Sequence, residues 1–171
     1  MKFTNFKFTA LLFSAIMVLG MSSCGDDDLQ SKTFSYDFNT GQVAEAFAYD
    51  GTHANTLTAT VKLDELKDGG TDVTVTLDNT IDGETYNTHS HDMADAASTP
   101  NMTPYNETPN ANVFAMALEG NGGEVSGTIK STLSYEALTS TYDGFLVVHD
   151  PLQDLTTVDP TTYVILGVFA R

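Results

Sequence analysis

Cysteine and basic residues are scarce in this chain, and tryptophan is missing altogether. The 171 residues include one Cys, no Trp, and seven Lys and Arg against 23 Asp and Glu. A single cysteine excludes an internal disulfide, so a packed core or a bound ligand must supply the stability. The shortage of basic side chains excludes a phosphate-binding surface, and we therefore expect no nucleic-acid partner.

The only long apolar run stands at the front of the chain. Lys2 and Lys7 precede "ALLFSAIMVLG" (10–20), which has the length of a signal-peptide core. A comfortable membrane span needs about 20 apolar residues, so this run is too short for one. It leads into "MSSC", and the whole stretch resembles a bacterial lipoprotein signal in which Cys24 becomes the lipidated first residue.

An acidic, polar stretch, "GDDDLQSK" (25–32), follows Cys24 directly. It resembles the acidic tail of surface-exported lipoproteins of the Bacteroidetes type, while a plain solvated tether is the alternative. We expect a signal peptide at 1–23, a tether at 24–32 and one domain at 33–171. The expected location is the bacterial outer membrane, on the cell surface or in the periplasm, with membrane contact only through the lipid.

Polar and apolar residues alternate along most of the remaining chain, with Thr and Val abundant. This period predicts β-strands, and the Gly- and Asp-rich turns between them favour antiparallel pairing. Only "YEAL" (135–138) suggests a helical turn, and the irregular stretch 94–110 predicts a long loop. The fold class expected is all-β, an antiparallel Greek-key sandwich or barrel. The predicted strands are 56–63, 71–79, 112–118, 124–133, 144–149 and 162–170, with weaker candidates at 34–39 and 44–50.

Two of the four histidines stand one residue apart in "THSHD" (88–92). On an extended strand, His89 and His91 would lie on the same face, about 6.6–6.8 Å apart along the chain. Imidazole nitrogen suits copper, zinc, iron and nickel, so the pair could hold a metal ion. It could equally be two polar residues on a solvated face, because partners on other strands are invisible in this pattern.

The stretch "YDGFLVVHDPLQDL" (142–155) resembles the copper–zinc superoxide dismutases, whose corresponding strand ends in a copper-ligating histidine. "THSHD" fits the H-x-H signature of the same family, and "VILGVFA" (164–170) is similar to its last strand. The resemblance covers roughly residues 56 to 170 in this order. It implies a superoxide dismutase-like fold in which His89, His91 and His149 bind copper, with zinc as the less favoured metal.

The chain departs from the family pattern at several positions. No histidine occurs from 92 to 148, Pro109 or Asn110 stands where a zinc aspartate is expected, and Leu166 replaces a disulfide cysteine. Tyr163 falls near the position of the arginine that guides superoxide. The resemblance therefore implies one metal ion rather than two.

The charge of the chain also argues against fast dismutation. Without residues 1–23, which hold two lysines and no acidic residue, five basic and 23 acidic side chains remain, a net charge of −18. Efficient capture of superoxide needs a positive field, and this field is negative. A fourth copper ligand could come from His53, Met102, Met93 or water, although His53 also reads as a turn residue and the methionines as exposed or gap-filling side chains.

Three hypotheses on function remain open from the sequence. The first is an envelope lipoprotein that binds a single copper ion for metal handling or redox protection. The second is a non-enzymatic binding or adhesion module that recognises an unidentified glycan or protein, since a sandwich scaffold does not determine function. The third is a domain of the chordin (CHRD) type, which also combines an H-x-H strand with a late histidine strand.

Overall fold

The computed structural model describes residues 28–155 and 158–170, which form two packed antiparallel sheets. Sheet I has the strand order β1-β2-β3-β6 and sheet II the order β5-β4-β7-β8. The predicted signal peptide and Cys24 lie outside the described residues, as does Arg171. The strands are β1 Ser31–Tyr36, β2 Thr58–Glu65, β3 Thr71–Asp78, β4 Thr85–Asp92, β5 Ala115–Glu119, β6 Val125–Ser131, β7 Gly144–His149 and β8 Tyr163–Phe169.

The chain crosses between the sheets in a Greek-key path. Strands β3 and β6 pair directly in sheet I, while β4 and β5, which come between them in the chain, pair in sheet II. The predicted all-β Greek-key sandwich is therefore confirmed, and the described strands form no closed barrel. Along the seam between the first and last strands, the Tyr36 hydroxyl donates to the Val168 carbonyl oxygen at 3.0 Å.

The predicted strands agree with the observed ones apart from shifts at their ends, and "FSYDFN" (34–39) contributes to β1. "YEAL" opens a short helix, α1 Tyr135–Ser140, whose N-cap Ser134 accepts a hydrogen bond from the Ala137 N–H. The weak strand at 44–50 is wrong, because Glu45–Phe47 form a 3₁₀ turn instead. The stretch 94–110 is a loop, as predicted, and contains one 3₁₀ turn at Ala96–Ser98.

The alternation of apolar residues builds the core between the sheets. Every second residue of β3, from Val73 through Val75 to Leu77, is fully buried. Burial of this apolar area drives the two sheets together, at roughly 25 cal/mol per Å². No described helix is both long enough and apolar enough to cross a membrane.

A second, smaller apolar cluster lies on the outer face of sheet II. Tyr105 from the long loop packs there against Phe145, Val147, Tyr163 and Leu166, with Val43 and Phe47 at its margin. Strand β7 is consequently buried on both faces. The outer face of sheet II is thus partly covered by two loops, 94–110 and 37–57, and the histidines lie beside this cover.

Candidate metal centre

Strands β4 and β7 bring three of the four histidines together on the outer face of sheet II. His89 and His91 alternate with the inward-facing Ser90, as the H-x-H spacing predicts for a strand. In the antiparallel register His89 lies opposite Val147, so His149 is its diagonal neighbour on β7. Diagonal neighbours on one face are within reach of long side chains.

The ring nitrogens of these residues meet at short range. The Nε2 atom of His89 lies 2.9 Å from Nε2 of His91 and 3.4 Å from Nε2 of His149. Imidazole nitrogens bind ions such as zinc at about 2.0–2.1 Å. If the angle between the two metal–nitrogen bonds lies between a right angle and the tetrahedral angle, the two nitrogens are about 2.9–3.4 Å apart. Both measured separations therefore fit ligands of a shared ion. We call His89, His91 and His149 the histidine cluster.

The tautomer of His91 is determined by its backbone contact. Its Nδ1–H donates to the carbonyl oxygen of Asn106 at 2.6 Å, which leaves the lone pair on Nε2 and directs it into the cluster. A hydrogen bond of this kind from the second ring nitrogen orients metal-binding histidines in general. With this tautomer, the Nε2–H of His89 donates to His91.

Burial keeps the cluster uncharged. Burial, followed by the charges of the neighbouring His91 and His149, lowers the pKa of His89 to about 3. Burial, followed by the charge of His91, lowers the pKa of His149 to about 4. Burial also lowers the pKa of His91, although backbone contacts from Asn106 and Thr108 oppose the shift. Neutral imidazole is the form that binds metals.

Aromatic rings enclose two sides of the cluster. The Tyr105 ring lies 4.8 Å from the His91 ring, and the Tyr163 ring lies 4.8 Å from the His149 ring, measured between centroids. The two tyrosine hydroxyls are near enough to influence each other's pKa, although the Tyr105 hydroxyl has no hydrogen-bond partner of ordinary length among the described residues. Burial raises the pKa of both phenols.

The described lysines all lie on sheet I or in one of its turns. Lys32, Lys62 and Lys130 belong to β1, β2 and β6, and Lys67 stands in the turn between β2 and β3. On the histidine side, the carboxylates of Asp92 and Glu107 act electrostatically on His91. This distribution attracts a metal cation and repels an anion.

His53, the first candidate for a fourth ligand, has both ring nitrogens in use elsewhere. Its Nδ1–H donates to the Ala54 carbonyl oxygen at 2.8 Å, and its Nε2 accepts from the Tyr86 hydroxyl at 2.8 Å. The Tyr86 oxygen in turn accepts the Ile81 N–H at 2.9 Å. His53 is therefore a buried structural residue in this fold, rather than the exposed turn residue that was its alternative reading.

Both candidate methionines are exposed to solvent. Met102 is 72% exposed on the long loop, and Met93 is 49% exposed where it follows β4. Met93 lines a surface groove of about 560 Å³ with Asp92 and Asn106.

The departures from the dismutase pattern have local consequences. Asn110, near the expected zinc aspartate, donates from Nδ2 to the Asp92 carboxylate at 2.7 Å and ties the long loop to the end of β4. Leu166 is buried in the outer apolar cluster. The position of Tyr105 beside the histidines could not be predicted, because this residue belongs to no motif.

The cluster is not a complete metal cage as its side chains stand. Within residues 28–155 and 158–170, no group of three or more His, Cys, Asp and Glu side chains is arranged to hold an ion. The two Nε2 separations are also hydrogen-bond distances, so the rings contact one another instead of opening around a common centre. Binding would replace these two contacts with bonds to the ion.

The fold and the cluster define a class of protein: a Greek-key β-sandwich with three neutral histidines on one outer face. Comparison with protein-family models, with curated proteins and with solved structures found no match for the chain.

Proposed function

We propose that the protein binds a single transition-metal ion, copper in preference to zinc, through His89, His91 and His149. The role is metal handling or redox protection at the bacterial envelope, without efficient dismutation of superoxide. The lipoprotein signal with Cys24 supports the envelope location. The order of the "THSHD" and "LVVHD" motifs supports a superoxide dismutase-like domain.

The observation that carries the proposal is the convergence of three Nε2 atoms from two strands. His89 Nε2 lies 2.9 Å and 3.4 Å from the other two, and His91 is held by a backbone carbonyl in the tautomer that binds metal. Neutral imidazole ligands suit copper and zinc, and copper stands above zinc in the affinity series for such sites. Asp92 and Glu107 lie near His91, and none of the described lysines belongs to sheet II, so the described surroundings attract the ion.

Metal titration of the chain from residue 25 onward, which contains every described strand, tests the proposal. Cu(II), Cu(I) and Zn(II) are each titrated into wild type and into His89→Ala/His91→Ala/His149→Ala. We expect tight 1:1 copper binding by wild type and loss of that site in the triple variant. His53→Ala is the matched control, since it removes one buried histidine outside the cluster. Equally weak binding by wild type and triple variant would refute the proposal.

The second candidate is the non-enzymatic binding module, with a CHRD-type domain as its relative. One observation favours it: the Nε2 atoms of His89 and His91 already lie at hydrogen-bond distance. These histidines can therefore hydrogen-bond to each other without a metal. In that case the triple variant would lose stability but no metal affinity. A glycan or protein would then be the ligand of the surface loops.

A further inference from the structure

His149 stands at an irregularity in the sheet. Along β7 and β8, Val148 lies opposite Ile165, but His149 lies opposite Tyr163, so the register shifts by one residue between Val148 and His149. The extra residue, Val164, belongs to β8, and the shift brings Tyr163 beside His149, with ring centroids 4.8 Å apart. The His149 ring therefore packs against the strand that carries the bulge, and its position depends on what restrains the end of β7 against that strand.

The residue after His149 is a buried carboxylate. Asp150 is 1% exposed and accepts hydrogen bonds from the Tyr49 hydroxyl and, at 2.9 Å, from the Leu152 N–H. The described lysines all lie on sheet I or its turns, so hydrogen bonds rather than an ion pair must offset the cost of burying this charge. The bond from Tyr49 thus restrains the chain directly beside His149.

The segment that carries Tyr49 also holds the bulge in β8. Asn39 donates from its backbone N–H to the Val164 carbonyl oxygen at 2.9 Å and from Nδ2 to the Tyr163 carbonyl oxygen at 3.3 Å. Further along, the Asp50 N–H donates to the Thr161 carbonyl oxygen at 2.8 Å. The loop 37–57 is therefore hydrogen-bonded both to the start of β8 and to Thr161 just before it and, through Tyr49, to the residue that follows β7.

Tyr49 itself is held from two directions. Its oxygen accepts the His53 N–H at 2.8 Å, and its ring packs edge-on against Phe38 with centroids 5.0 Å apart. Since the His53 ring is locked between Ala54 and Tyr86, Tyr49 is connected to a rigid part of the sandwich. A rigid support of this kind is what a ligand-orienting residue needs.

We propose that Tyr49 and Asp150 are positioning residues that aim His149 into the histidine cluster by restraining the end of β7 opposite the bulge in β8. Their effect on metal affinity rests on the proposed function, whereas their effect on the His149 ring does not. The pair contributes no ligand. It acts on one of the three histidines and leaves the backbone contact of His91 with Asn106 unchanged.

Two measurements on the chain from residue 25 onward test this assignment, with the variants Tyr49→Phe, Asp150→Asn and their combination. The first is nuclear magnetic resonance of the histidine ring nitrogens and Cε1 in the metal-free protein. We expect the His149 signals to shift or broaden in Tyr49→Phe, more than those of His91. The second is Cu(II) titration with electron paramagnetic resonance. Copper affinity should fall about tenfold, the loss typical of removing a residue that orients a ligand, together with weakened nitrogen coupling from one imidazole.

Tyr36→Phe is the matched control, because it also removes one phenol hydroxyl, whose bond to Val168 lies at the seam between β1 and β8. Its copper affinity and His149 signals should match wild type. The double variant should lose no more affinity than Tyr49→Phe alone, since both changes act on the same hydrogen bond between Tyr49 and Asp150.

The outcomes separate the two proposals. If wild type binds copper through the cluster and Tyr49→Phe leaves affinity and His149 signals unchanged, even with a lower melting temperature, the positioning role is refuted and the proposed function stands. If wild type binds no copper but the His149 signals move in Tyr49→Phe, the proposed function is refuted and the positioning role stands.

Discussion

At the scale of single residues, the four histidines divide into two environments. Both ring nitrogens of His53 are hydrogen-bonded, one to Ala54 and one to Tyr86. The Nε2 atoms of His89 and His149, by contrast, contact only other imidazoles. Burial lowers the pKa values of His89 and His149 to about 3 and 4, so both rings stay neutral in mildly acidic solution. The structural role of His53 and the proposed metal-binding role of the cluster can therefore be separated by mutation.

The lowered pKa values predict an acid-sensitive fold. Below about pH 6.5 an unfolded histidine takes up a proton, while folded His89 and His149 remain neutral down to about pH 3 and 4. The unfolded state then binds more protons, so stability is lost as the pH falls through this window. Between pH 6 and 5, we expect wild type to lose about 1 to 2 kcal/mol more unfolding free energy than His89→Gln/His149→Gln.

Urea unfolding of both proteins at several pH values, without metal, measures this difference. The acidic side chains titrate alike in the two proteins, so their contribution cancels in the comparison. Parallel curves for wild type and variant would show that the two histidines are not held neutral.

His53→Ala is predicted to affect stability alone. The change removes a buried ring and leaves the Tyr86 hydroxyl and the Ala54 carbonyl oxygen without their partner. We expect the free energy of unfolding to fall by about 2–4 kcal/mol. Copper affinity, measured under conditions in which the variant is folded, should stay within about twofold of wild type because His53 lies outside the cluster. A loss of copper affinity comparable to that of His89→Ala would contradict this separation.

At the scale of elements, β1 and β8 are edge strands of different sheets and do not pair through their backbones. Side-chain hydrogen bonds join them instead. Strands β1 and β8 face each other across the seam, where Tyr36 bonds to Val168 and the Lys32 amine donates to the Ala170 carbonyl oxygen at 3.1 Å. Gly167 allows this approach, because a Cβ at that position would lie 2.4 Å from a ring carbon of Tyr36. The glycine in "VILGVFA" is thus a packing requirement of the seam.

Gly167→Ala is therefore expected to destabilise the sandwich by about 1–3 kcal/mol through overpacking against Tyr36. Gly123→Ala is the control, since its added Cβ would meet only the Asn121 side chain, at an ordinary 3.5 Å. Chemical denaturation of both variants measures the difference. Equal stability of the two would show that Tyr36 can move away from the seam at little cost.

At the scale of the whole molecule, charge is segregated between the two sheets. The described lysines lie on sheet I and its turns, while the histidine cluster lies on the outer face of sheet II, near Asp92 and Glu107. Together with the net charge of −18 that follows removal of residues 1–23, this field favours cations and repels anions. The same charge distribution thus favours metal uptake and opposes superoxide capture.

The copper-loaded protein should consequently dismutate superoxide far below the diffusion ceiling of about 10⁹ M⁻¹s⁻¹. The small rate that remains should rise with ionic strength, because salt screens the repulsion between the anion and the acidic surface. Pulse radiolysis at low and high salt measures both quantities, with the triple histidine variant as background. A rate near the ceiling that falls with salt would overturn this prediction.

The sequence alone determined most of the strands and the H-x-H pair, because alternation and this spacing are local properties of the chain, although β4 itself was not among the predicted strands. It could not predict the 3₁₀ turn at Glu45–Phe47, where packing of Phe47 beside the outer apolar cluster overrides an apparent strand pattern. Tertiary structure decided that His149 meets His89, because the register of β4 on β7 brings the two residues together. It also decided that His53 lies elsewhere, because the His53 ring is hydrogen-bonded to the buried Tyr86. It also placed Asp150 and Tyr49 beside the cluster, through a contact between residues that no local pattern connects.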